Sequence, residues 1–185
     1  MKQPIKLLLL FTLLIAAISS HAAANDRIPL WGSSYYGMPL KEVLHSYPNA
    51  QTKLEIPSIV LLKPNEQALA KLESLEIDHQ SFNVWFISSD DKLNRVILTL
   101  LPKSKESEAS MVSEDINPLY TQYAILLTAK YGNPVRKSWQ DYAPLNIRFW
   151  NTQWISGFTN IELTVDKSLL SIIYSADYAE DLRKL

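Results

Sequence analysis

The sequence predicts an α+β domain: one antiparallel sheet with helices packed on one face, built as two pseudo-repeats of a helix followed by a β-hairpin or meander. Three observations lead there. Phe82, Val84 and Phe86 alternate, Ser88-Ser89-Asp90-Asp91 makes a polar turn, and 93–101 is a second apolar run, which together describe a hairpin. A well-punctuated helix starts at Asn117-Pro118 and stops at Gly132, with Pro134 beyond it. Ile161, Leu163 and Val165 then alternate with Glu162 and Thr164 as a half-buried strand, and 169–174 offers its partner across Asp166-Lys167-Ser168.

The elements are expected in the following order. Structure begins at Trp31. Gly37-Met38-Pro39 opens a short helix, with Pro39 in the first turn, where its missing N–H costs nothing. Leu40, Val43, Leu44 and Tyr47 form its apolar stripe, and Pro48-Asn49 stops it. Residues 56–62 are apolar and β-branched, hence a strand, with Pro57 pushing it to an edge. Ala68, Leu69 and Leu72 recur at helical spacing, so a short helix is expected over 65–75. In the hairpin that follows, Trp85, Ile87, Ile97 and Leu101 take the opposite parity from Phe82, Val84 and Phe86, so both faces of the sheet should be partly covered.

Residues 102–113, with Lys103, Ser104, Lys105, Glu106, Ser107 and Glu108 in a row, form a solvated connector between halves at 31–102 and 114–178. In the helix after it, Leu119, Tyr123, Leu126 and Leu127 line up, and Leu119, Tyr123 and Leu126 should be buried on the sheet. Strands at 147–150 and 154–155 precede the last hairpin, and the tail after Tyr178 adds a helical turn or frays.

Ahead of this domain stands an export signal. Lys2 and Lys6 are followed by an apolar run from Leu7 to Ile18, broken only by Thr12, and then by Ser19, Ser20, Ala22, Ala23 and Ala24. Charged, apolar and small regions in that order describe a cleavable signal over 1–24, cut after Ala24 or after Ala22, with an apolar core short for a membrane span. Residues 25–185 are then expected as one domain in the periplasm or secreted, with no stable membrane insertion. Without the leader the chain holds 16 basic against 19 acidic residues, a net −3 that argues against nucleic acid as a partner. Neither a cysteine nor an Asn-x-Ser/Thr sequon occurs, which leans towards a bacterial periplasm.

The phrase Gly37-Met38-Pro39-Leu40-Lys41-Glu42-Val43 resembles the glycine-methionine helix start of small envelope modules. These include the small lipoprotein of the outer-membrane β-barrel assembly machine and the tandem-repeat β-lactamase inhibitor proteins. The resemblance implies helices against an antiparallel sheet and action by binding proteins. The chain departs from the lipoprotein in having no cysteine to lipidate, and from the inhibitors in having none for their disulfides.

Few chemistries are provided for. Glu42-x-x-His45 has the spacing used by carboxylate-bridged di-iron sites, which need the motif twice; it occurs once, so metal ligation is not expected. Asp78-His79 with Ser81 holds triad residue types without triad spacing. No nucleophile elbow, zinc-protease helix or phosphate-binding glycine loop is present, so no catalytic residue and no cofactor are assigned. Asp90-Asp91, Glu114-Asp115 and Glu180-Asp181 are carboxylate neighbours of the kind turns and helix starts supply.

The remaining signal is aromatic: Trp139, Tyr142, Phe149, Trp150, Trp154 and Phe158 fall within 20 residues. Trp139, Tyr142, Trp150 and Trp154 are the candidate binding residues, with Trp150 or Trp154 as a hot spot on an uncovered second face of the sheet. Two function classes follow. The first is a non-catalytic envelope protein that binds another protein or envelope component, as an inhibitor, immunity protein or assembly accessory. The alternative is a small hydrolase acting on cell-wall substrate through carboxylates.

Overall fold

The computed structural model describes residues 27–52, 54–55, 60, 62–100, 116–142, 147–165 and 169–176, with the backbone alone at 116, 117, 140–142 and 147–149. Within them lie a short helix α1 (Leu40–Ser46), three strands β1 (Glu66–Ile77), β2 (Gln80–Ser89) and β3 (Lys92–Leu100), a second helix α2 (Ile116–Tyr131), and four strands β4 (Arg136–Tyr142), β5 (Ile147–Ser156), β6 (Thr159–Val165) and β7 (Leu170–Ser175). The seven strands form one antiparallel sheet in the order β1-β2-β3-β7-β6-β5-β4. Each helix therefore precedes a meander, and the two meanders meet along β3 and β7.

The expected hairpin is β2–β3, and its turn explains itself. Asp90 and Asp91 both take positive φ, at 53° and 60°, as a two-residue turn matched to strand twist requires. Asp78 and His79 do the same between β1 and β2. Period-two alternation then sorts the side chains. Phe82, Val84 and Phe86 of β2 share a face with Val96 and Leu98 of β3, Ile172 and Tyr174 of β7, Ile161 and Leu163 of β6, and Trp154 of β5. All belong to the main buried cluster, to which α1 contributes Val43 and α2 contributes Tyr123 and Leu127. Tyr123 meets Phe82 edge-on at 5.4 Å, and Tyr47 at the end of α1 lies 4.7 Å from Phe86.

On the opposite face Trp85, Ile87 and Ile97 form a smaller buried cluster with Val60, covered further by Leu54 and Leu62. Both faces of the β1–β3 half are thus occupied, as the two parities predict.

Gly37 explains how the Gly-Met-Pro phrase is used. Its φ of +80° turns the chain so that its N–H donates to the Leu93 carbonyl while Leu93 N–H donates to the Met38 carbonyl. Pro39 is then the extended residue before the first turn of α1, and Met38 and Val43 are buried.

Several expectations are corrected. The segment 65–75 is not a helix: from Glu66 on it belongs to β1, which ends the sheet and has register shifts between Ala68 and Ala70 and between Leu72 and Leu75. The shifts break the period of two: Ala68 pairs with Ile87, while Ala70, Leu72 and Leu75 pair with Phe86, Val84 and Phe82 on the other face, and Leu69, Leu72 and Leu75 are left three apart in sequence, as on a helix. Residues 147–150 and 154–155 are one unbroken strand, β5, and a further strand, β4, precedes it. Leu126 is 42 % exposed. The buried stripe of α2 runs through Tyr123 and Leu127, with Leu119, Tyr120, Ala124 and Tyr131 packed beside them. The leader at 1–24, the connector at 102–113, the turn at 166–168, the tail from 178 and most of the 56–62 strand lie outside the described residues; Val60 and Leu62 are not in a strand.

Candidate functional site

A groove opens where α2 passes over the β4–β5 edge of the sheet. Its volume is about 440 Å³, and its walls are Tyr120 and Ala124 from α2, Lys137, Ser138 and Trp139 from β4, and Trp150, Asn151 and Thr152 from β5. Strand register builds the floor: Trp139 lies directly opposite Trp150, and Lys137 directly opposite Thr152. Directly opposed residues share a face, so both tryptophans belong to the groove side.

From above, the Tyr120 ring meets Trp150 edge-on at 5.6 Å, and its hydroxyl is hydrogen-bonded to the Thr152 hydroxyl. This fixes one wall. Trp139, by contrast, is 68 % exposed. Among the described residues the groove therefore has one immobilised aromatic wall, one solvent-facing indole and one cation, Lys137. Such a surface can take an apolar or aromatic side chain with a polar neighbour. Further apolar surface is exposed at Ile125 on α2, Val135 before β4 and Phe158 in the β5–β6 turn.

The four candidate residues divide. Trp139 and Trp150 come together in the groove. Tyr142 has its backbone in β4, and its side chain lies outside the described residues. Trp154 is fully buried, so its assignment to a binding face is corrected. It sits four residues along β5 from Trp150, opposite Ile161, which is itself opposite Tyr174 in the middle of the sheet. Its indole Nε1 has no hydrogen-bond partner among the described residues.

The expected uncovered apolar second face is also corrected. Over β1–β3 that face is covered by Leu54, Val60 and Leu62. Over β5–β7 it carries Ile155 and Ile173 within a polar network: Asn160 donates to Glu162 at 2.8 Å and to Ser175 at 3.4 Å, Gln153 donates to Asn160 at 2.7 Å, and Asn151 donates to Glu162 at 3.2 Å. The apolar opening is on the other face.

Other chemistry-bearing residues are accounted for by structure. His45 and His79 are exposed, and Glu42 accepts a hydrogen bond from the Tyr35 hydroxyl. Asp90 and Asp91 form the β2–β3 turn, and the carboxylates at 114–115 and 180–181 lie outside the described residues. Among the described residues the most deeply buried ion pair is Arg95–Glu66, with side chains 9 % and 3 % accessible, and Asn94 donates to the same carboxylate at 3.0 Å. It ties β1 to β3 and lies on the side of the sheet away from the β4 edge.

Sequence reasoning missed Tyr120, Lys137, Ser138 and Thr152. One signal could have found the first: Tyr120, Ala124, Leu127 and Tyr131 recur at helical spacing beside Tyr123. For the β4 residues the signal is Lys137-x-Trp139-x-Asp141, an alternation that marks one strand face although the segment is mostly polar.

Set against protein-family models, curated proteins and solved structures, the chain matches none.

Proposed function

We propose that this chain is an exported, non-catalytic binding protein of the cell envelope, and that it engages a protein partner through the groove between α2 and the β4–β5 edge. The observation that carries the reading is the Trp139–Trp150 pair, in which one indole is held under Tyr120 and the other faces solvent. Tryptophan and tyrosine are among the residue types most enriched at interface hot spots. In this reading the leader at 1–24 is removed, both helices lie on the groove face of the sheet, and the two helix-plus-meander halves are repeats of one unit. The inhibitor, immunity and assembly-accessory roles all fit such a surface.

The test is affinity capture from periplasmic extract with wild-type protein and with Trp139→Ala as parallel baits. A partner identified by mass spectrometry should be retained by the wild type and lost by the variant. Once purified, that partner should bind the variant about 2 kcal/mol or more weakly. A partner captured equally by both baits would place the binding site elsewhere. If the purified protein instead hydrolyses peptidoglycan, and one acidic substitution abolishes this without unfolding, the enzyme reading replaces this one.

A further inference from the structure

We infer that the groove reads an extended, acidic segment of its protein partner: an apolar side chain packs against Trp139 and Trp150, and an aspartate or glutamate two residues away along that segment faces Lys137. The inference rests on the groove being the binding site, and it adds what the partner must carry there.

Strand parity sets the pattern. Trp139 pairs with Trp150 and Lys137 with Thr152 in one register, so these four residues share a face as two successive rows. Tyr120 of α2 engages the β5 member of each row: its ring lies edge-on to Trp150, and its hydroxyl is bonded to that of Thr152. The β4 members, Trp139 and Lys137, are both exposed and both line the groove. One row is therefore aromatic and the other cationic, and they lie one strand repeat apart, about 7 Å.

A ligand that meets both rows brings an apolar group and an anionic acceptor at that same separation. Alternate side chains of an extended chain point the same way at this spacing, so residues i and i+2 of a peptide match the two rows. The lysine ammonium offers donors and no acceptor, which suits a carboxylate and repels a second cation. Arg136, one residue earlier, pairs with Gln153 and belongs to the opposite face, so the selection falls to Lys137. Without the leader the chain has 16 basic against 19 acidic residues, so its overall charge does not draw an acidic partner in; the local cation decides. The aromatic row favours an apolar side chain over a sugar ring, whose hydroxyls would each need a partner. The Thr152 hydroxyl in the groove wall is already engaged by Tyr120.

A register series on the purified exported protein tests this, read through its tryptophan emission. Short blocked peptides of glycine and serine carry one phenylalanine, which adds no indole, and one glutamate placed one, two, three or four residues later. The two-residue spacing should bind most tightly. Spacings of one and three turn the carboxylate to the other side of an extended chain and should bind about fivefold more weakly, as should glutamine in place of the glutamate. Alanine in place of the phenylalanine should abolish binding. Salt should weaken the glutamate peptide and leave the glutamine peptide unchanged. Lys137→Glu should invert the preference, taking a peptide with lysine at the second position in place of the glutamate one.

Circular dichroism checks that Lys137→Glu is folded, and the peptide substitutions decide the matter without any protein variant. Binding of none of the peptides, or binding indifferent to the position and charge of the glutamate, would overturn the inference. So would tightest binding at the four-residue spacing, which a helical ligand presents, or a cell-wall disaccharide that binds more tightly than every peptide. The groove reading fails by a different result, a captured partner that Trp139→Ala retains. A partner lost by Trp139→Ala but indifferent to Lys137→Glu would leave the groove in place and remove this specificity alone.

Discussion

Trp150 and Trp154 point to the same face of one strand, four residues apart, yet the first is half-buried under Tyr120 and the second is sealed in the core opposite Ile161. Same-face neighbours on a strand differ in this way because burial depends on what covers each row of the sheet. Opposite Trp150 on its other side is Trp139, the most exposed of the three.

These positions should respond differently to truncation. Trp154→Ala is expected to cost about 3–5 kcal/mol of folding stability, because a buried indole leaves a large cavity. Trp139→Ala should change stability by no more than about 0.5 kcal/mol, as surface substitutions do. Urea denaturation of both variants checks this; equal losses would mean that Trp139 is also a core residue.

The corrected helix face makes a second contrast. Leu127 is buried and Leu126 is not, so Leu127→Ala should cost about 2–5 kcal/mol, and Leu126→Ala should fall among the small surface effects. Thermal unfolding of the pair reads the difference. A larger loss at Leu126 would restore the stripe expected from sequence.

The Arg95–Glu66 pair predicts an asymmetric response. Glu66→Ala leaves the guanidinium buried without its carboxylate and should cost about 3–5 kcal/mol. Replacing both residues by apolar side chains of similar volume should cost less than that single change. A double variant no more stable than Glu66→Ala would show that the pair is not the source of the loss.

Stability should also fall in alkali. Burial, with the charges of Asp78 and Glu76 adding to it, pushes the Tyr123 hydroxyl up to about 12, and burial raises Tyr174 as well. A folded-state value above the unfolded one means that the fold prefers the protonated phenol. The contribution is therefore intact below about 10, the unfolded value, and is lost as pH rises towards 12. Tyr123→Phe should shallow that alkaline loss. At neutral pH it should cost about 0.5–1.5 kcal/mol, because the hydroxyl donates to the Ile77 carbonyl at 2.9 Å. Tyrosinate absorbance followed with pH-dependent urea melts would detect an unchanged slope, which would count against this account.

Processing is the last prediction. From the Lys2-to-Ala24 pattern, mass spectrometry of exported protein should find an N-terminus at Asn25 or Ala23. Full-length protein recovered from the membrane fraction would contradict it.

What could be read from the sequence was local. The β2–β3 hairpin was legible because two largely apolar, buried strands flank the polar turn Ser88-Ser89-Asp90-Asp91, and α2 because Asn117-Pro118 and Gly132 punctuate a helical stripe. The α+β class follows from those two elements and the 160–174 strands. β1 was not legible, since two register shifts break its period and leave apolar residues at three-residue spacing. β4 was not legible either, because Arg136, Lys137, Ser138, Gln140 and Asp141 leave Trp139 without apolar neighbours at period two. The groove needed the tertiary structure altogether. Strand parity could assign Trp150 and Trp154 to a face, but only the crossing of α2 decides that Tyr120 covers the first and the core closes over the second. Parity is a property of the backbone and is written along the chain; depth is set by a helix some 30 residues away in sequence, on the scale of the Tyr120–Thr152 hydrogen bond that spans 32 positions.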